Sequence, residues 1–164
     1  MVRGMRGRTG RGIAAAFAVA IAIATLPHGV GAAELSREAT IKEGQKAAKA
    51  GDYNKVYQLG LPFALNGDAE FQYGLSGVLL FYGEGLKIDG VADQDHRKVG
   101  MMWLHKAAEG GSDEALEELA LLYRWGEKGL PRDAELSDCF TQAESDHKAV
   151  AHCRAREHAK GYFE

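Results

Sequence analysis

Glycine punctuates this chain at helix-length intervals, at Gly51, Gly67, Gly83 with Gly85, Gly110 with Gly111, Gly126 and Gly129. A glycine just past a helix is a common stop, because it adopts the left-handed backbone that closes the last turn. Start signals alternate with these stops. Ser36, Asp52, Asp68, Asp95, Ser112 and Asp133 each precede a helical run and can accept a bond from a free backbone N–H. Ala, Leu, Glu and Lys are plentiful between them, while Pro and β-branched residues are scarce, which favours helix. No segment alternates apolar and polar residues over the length of a strand, so no sheet is expected. The pattern predicts an all-α chain of seven helices, at about 36–50, 52–66, 68–82, 96–109, 113–125, 134–145 and 147–160.

The first 33 residues follow a different logic. Arg3, Arg6, Arg8 and Arg11 make a cationic start, an apolar run extends from Ile13 to Leu26, and Gly31-Ala32-Ala33 supplies small residues. That order reads as a cleavable secretory signal. The apolar run is shorter than the roughly 17–25 residues of a spanning helix, so a membrane anchor is the weaker reading. No cysteine follows the run and the arginines are never adjacent, which speaks against a lipid anchor and the twin-arginine route. Beyond Ala33 the chain carries 16 basic and 23 acidic residues and no second apolar stretch that could span a bilayer. An acidic domain is a poor partner for nucleic acid, where cations supply most of the affinity. The expected location is therefore periplasmic or secreted.

The glycine-bounded segments also repeat. Gly111 to Gly126 parallels Gly67 to Gly83, and Trp103 and Phe140 hold corresponding places on the helices that follow. Gly83 and Gly126 are 43 residues apart and Trp103 and Phe140 only 37, so the loop after Gly83 is the longer by six. Trp103-Leu-His-Lys106-Ala107-Ala108-Glu109-Gly110-Gly111 resembles the end of a second helix in the Sel-1-like repeats, α/α solenoids related to the tetratricopeptide repeats. Ala115, Leu119, Ala120, Tyr123 and Gly126 resemble the next first helix, and Gly129-Leu-Pro131-Arg-Asp133 with Ser137 and Phe140 continue the pattern. Gly67-Asp-Ala69-Glu-Phe-Gln72-Tyr73 with Gly83-Glu-Gly85 resembles an earlier copy. Leu136 and Ser137 depart from the usual Lys-Ala, and the last helix diverges. The resemblance implies a right-handed α/α solenoid over residues 34–164, with repeats at about 67–110 and 111–145 and flanking helices over 36–66 and 147–160. Small residues at Ala69, Gly77, Ala107, Ala115 and Ala120 are expected to let helices approach closely.

Cys139 and Cys153 lie seven residues on either side of Asp146, near which helices 134–145 and 147–160 are expected to turn. Facing inward at equal height they satisfy disulfide geometry, and export favours oxidation. Two buried free thiols are the alternative. Exported members of the resembled family also carry disulfides between neighbouring helices, with a different cysteine spacing.

Three groups of residues invite chemistry and are read more simply. His147, His152 and His158, beside Cys153, do not share a helix face at ligand spacing, so they are expected on the surface. Asp89, Asp93 and Asp95 lack the glycine and glutamate of a hand-type calcium loop and are expected to form a flexible acidic loop. Ser145-Asp-His-Lys148 matches the Ser-x-x-Lys element of penicillin-interactive enzymes but stands without its companion elements, and a turn with a capping serine explains it. No metal and no cofactor is expected.

Binding offers more. Tyr82 and Trp125 each stand immediately before the glycine that ends a first helix, in matching places, as aromatic anchors for a partner or as packing residues at helix ends. Glu84 and Arg124 are the candidate rim charges. The expectation is an exported, non-catalytic adaptor or regulator that binds another protein in the cell envelope. The alternative is a cell-wall-acting or penicillin-interactive hydrolase, or an inhibitor of one.

Overall fold

The structure, a computed structural model, describes residues 35–83 and 85–162. The expected signal segment and the candidate rim charge Glu84 lie outside the described residues. Seven α-helices appear among them: α1 (Arg37–Lys49), α2 (Tyr53–Leu65), α3 (Ala69–Phe81), α4 (His96–Glu109), α5 (Asp113–Trp125), α6 (Ala134–Ala143) and α7 (Val150–Ala159). One-turn 3-10 segments precede α4 and α7, at Asp93–Asp95 and His147–Ala149. An isolated Ile88–Val91 bridge is the one β feature of the described residues.

Five of the six expected start signals cap their helices. Ser36 accepts from the Ala39 N–H, Asp52 from Lys55, Asp68 from Glu70 and Phe71, Ser112 from Ala115 and Asp133 from Leu136. Asp95 does not cap α4. It belongs to the 3-10 turn that leads into the helix, and its own backbone is already helical. Ser145 is not a cap either. Its hydroxyl donates to the Gln142 carbonyl, and Asp146 accepts the Lys148 N–H instead.

Three connections share one construction. After α2, Gly67 takes φ of 90°, its N–H bonds to the Ala64 carbonyl, and the Asp68 N–H bonds to the Phe63 carbonyl. After α4, Gly111 takes φ of 91°, bonded to Ala108, while Ser112 bonds to Ala107. The pair Gly51-Asp52 repeats the pattern after α1. This is the Schellman closure of a helix C-terminus, and the left-handed position excludes most side chains. Here the residue that completes the closure is also the N-cap of the next helix.

Packing runs mainly between helices adjacent in sequence, with an additional contact between α4 and α7. One cluster of buried side chains gathers around Leu104, Leu116, Leu119, Tyr123, Leu136 and Phe140. A second gathers around Tyr57, Leu75, Leu79 and Trp103, whose indole N–H donates to the Tyr57 hydroxyl at 3.2 Å. The long loop after α3 is no free acidic loop. Ile88 is buried in the second cluster, Asn54 of α2 donates to the Asp89 carboxylate at 3.0 Å, and the Asp89 N–H returns a bond to the Asn54 oxygen at 2.9 Å. An apolar residue available for burial decides the loop's position, which its acidic composition concealed.

Cys139 and Cys153 form a disulfide that joins α6 to α7, with Cα atoms 5.8 Å apart. Closing a loop of this length removes on the order of 3 kcal/mol of entropy from the unfolded chain.

Close helix approach depends on a glycine other than the expected one. A Cβ at Gly77 would meet nothing within 4 Å. One at Gly100 would lie 2.8 Å from Leu80 Cγ and 3.1 Å from Leu79 Cβ, where α4 crosses α3. Gly100→Val is therefore expected to destabilise the fold by about 1–3 kcal/mol through overpacking. Gly77→Ala, in open space within α3, is expected to stabilise it by about 0.5–1 kcal/mol. Urea denaturation of the two variants checks both signs, and equal midpoints would refute the assignment of the close contact to Gly100.

Candidate functional site

The C-terminal ends of α3 and α5 each expose aromatic side chains, which make up an aromatic edge. Tyr73 on α3 packs against the first core cluster and lies in the field of Glu114, Glu117 and Glu118 of α5. Phe81, at the end of α3, lies under the Lys128 ammonium just beyond α5, 4.4 Å from the ring centroid. The start of α3 thus faces the start of α5 and the end of α3 meets the chain just beyond α5, so the two helices run in the same sense. Phe81, Tyr82 and Trp125 are 44%, 51% and 62% exposed there, large apolar surfaces that the fold leaves in water. Arg124 is exposed beside Trp125.

Tyr82 and Trp125 differ in kind. Tyr82 stacks on Tyr53 with centroids 4.3 Å apart, so half of it already serves to hold α2 against α3. Such a stack contributes about 0.5–1.5 kcal/mol beyond burial. Trp125 is the more exposed, and Phe81, which the sequence pattern did not single out, completes the edge. Its signal was its place one residue before Tyr82, at the last position of an apolar helix.

A second feature lies between α4 and α7, a cleft of about 350 Å³. Met101 and Met102 line it with Arg97, Lys98 and Lys106 on the α4 side, and Arg154 and His158 face them from α7. Beneath it Glu157 is fully buried. The Tyr123 hydroxyl donates to its Oε1 at 2.5 Å and the Arg154 guanidinium to its Oε2 at 2.8 Å. His105 Nε2 lies 3.3 Å from the same Oε1. Burial pushes the Glu157 carboxyl above the ordinary glutamate value, against the pull of its two donors. Burial, with the charge of Arg154, pushes His105 well below the ordinary imidazole value, so that contact involves a neutral ring. The group joins α4, α5 and α7 under the cleft floor. None of these roles was read from the sequence. The available signal was Glu157 itself, in register with Val150 and Cys153 on the buried face of α7.

The other residues that invited chemistry are dispersed. His147, His152 and His158 are exposed, and His147 Nε2 sits 3.4 Å from Asp113. Asp89 is taken up by Asn54, while Asp93 pairs with Lys87. Ser145 and Lys148 are exposed on the α6–α7 connection. Among the described residues no three His, Cys, Asp or Glu side chains converge as a metal site would require. No helix among them is long and apolar enough to cross a membrane.

A buried carboxylate that loses a donor is costly to the fold. Tyr123→Phe removes only the hydroxyl and is expected to cost about 1.5–3 kcal/mol at neutral pH. Chemical denaturation measures it, and an unchanged midpoint would mean that the hydroxyl does not support Glu157.

Searches against protein-family models, curated proteins and solved structures return no match to this chain.

Proposed function

We propose that the chain is an exported, non-catalytic adaptor or regulator of the Sel-1-like solenoid kind, which binds another protein in the cell envelope. The observation that carries this reading is the aromatic edge. Phe81 and Tyr82 at the end of α3 and Trp125 at the end of α5 are all exposed, and the chain just beyond α5 reaches the end of α3 through Lys128 over the Phe81 ring. Aromatic side chains held in place by a rigid scaffold make good interface anchors, since they bury much area for little lost freedom. The solenoid part is supported by the equal 13-residue lengths of α3 and α5, the shared turn before each, and packing that passes from one helix to the next. Such arrays present extended surfaces to partners. Export is supported by the Cys139–Cys153 disulfide, which an oxidising compartment maintains.

Two measurements test the reading. Intact mass of material recovered outside the cytoplasm should lack about the first 33 residues, and retention of Met1 there would overturn export. Tagged protein should capture a partner from its native envelope, and Trp125→Ala should weaken binding to that partner about thirtyfold, the cost of losing an anchor worth about 2 kcal/mol. Its melting temperature should stay close to the parent's, because Trp125 is mostly in water. Tyr82→Ala should weaken binding and also lower the melting temperature slightly through its stack with Tyr53. Normal binding by both folded variants would remove the aromatic edge as the recognition surface.

A further inference from the structure

The cleft between α4 and α7 carries a charge opposite to that of the chain around it. Lys98, Met102 and Lys106 follow one another at four-residue intervals, so a cation, a methionine and a second cation line one edge of α4 over about 12 Å. Arg97 and Met101 run alongside. Met101 is buried and Met102 is 41% exposed, which gives the cleft an adaptable apolar floor. Glu109 is the one carboxylate among the lining residues, and Arg154 already holds it at 3.4 Å. Arg154 is in turn occupied by Glu157. Among the described residues no carboxylate pairs with Arg97, Lys98 or Lys106. Arg97 donates to the Lys128 carbonyl and Lys106 lies over the Trp103 ring, contacts that bring no opposing formal charge.

Three cations without a carboxylate partner among the described residues, on a domain with 16 basic and 23 acidic residues, form a local exception that charge complementarity can use. We infer that this cleft docks an acidic segment of a partner protein, with carboxylates meeting Lys98 and Lys106 and an apolar side chain between them on Met101 and Met102. The inference rests on the adaptor reading and adds the chemistry of the partner. It does not depend on the aromatic edge, which lies at the ends of α3 and α5.

The test uses the purified chain and a fluorescein-labelled helical peptide of about fifteen residues made of Glu, Leu and Ala, with Leu flanked by Glu four residues away on either side. Its counterpart carries Lys in place of every Glu. Fluorescence anisotropy should report binding of the acidic peptide, none of the basic one, and weakening as salt is added. Lys98→Glu combined with Lys106→Glu should lower affinity by about tenfold or more, with the melting temperature lowered only slightly, since both side chains are exposed and only the Lys106 contact with Trp103 is lost. Met102→Asp should do the same through the apolar floor. Failure to bind the acidic peptide, equal binding of the basic one, or full binding by the charge-reversed variant would overturn the inference. Tighter binding of a single-stranded oligonucleotide or of phosphatidylglycerol vesicles than of the peptide would also overturn it. The two readings separate in the capture experiment. A partner lost with Trp125→Ala but kept by the charge-reversed variant overturns the cleft and leaves the adaptor standing.

Discussion

Three connections in this fold allow one helix to stop and the next to begin without a spare residue. In each, the residue after the left-handed glycine gives its N–H to the helix just ended and its side-chain oxygen to the helix about to start. A residue committed at both ends fixes the angle between the two helices. Successive helices must then fold back on each other, and α1 to α3, like α4 and α5, pack against their sequence neighbours. A helix pair made this way has an apolar face it cannot bury alone, so adding the next helix is favourable at every step. The longer α3–α4 connection escapes that constraint, and there Ile88 and the Asn54–Asp89 bonds hold the chain down instead.

The contact between α4 and α7 follows a different rule. It depends on Glu157, whose buried carboxylate is tolerable only while its donors stay in place. Tyr123 reaches it from α5 and Arg154 from α7 itself, and the His105 ring of α4 lies against the same carboxyl, so three helices meet there. The disulfide adds a covalent link between α6 and α7 at the same end of the chain. The arrangement also sorts the charges of the cleft. Arg154 is used up by Glu157 and Glu109, while Arg97, Lys98 and Lys106 are exposed and pair with no carboxylate among the described residues. A structural need inside the fold and a basic surface outside it are two sides of one distribution.

The exposed surfaces draw on different physics. At the ends of α3 and α5 the attraction to a partner would be apolar and little affected by salt, whereas along α4 it would be electrostatic and screened within a Debye length of about 8 Å at physiological ionic strength. Tyr82 is shared between the fold and the surface, stacked on Tyr53 and about half exposed to water.

Helix number, helix type and nearly every helix start could be read from the chain, because caps and stops are contacts among residues within about five positions of each other. Asp68 and Ser112 advertise their role next to a glycine wherever the chain folds. Asp95 shows the limit of that rule, since a 3-10 turn supplied the helix entry and left its carboxylate out of the cap. The cysteine pair was legible for a related reason, being symmetric about a local turn. Which glycine mattered was not. Gly77 and Gly100 look alike in sequence, and only the crossing of α3 and α4 puts Leu80 against one and open space beside the other. Glu157 meets partners that lie 34 residues away at Tyr123 and further at His105, and no local pattern announces an encounter across that distance. The cleft had the same origin. Its methionines and lysines form an ordinary helix edge until α7 arrives beside them, so the chain fixed the helices through short-range bonds and only their packing decided which charges faced the water together.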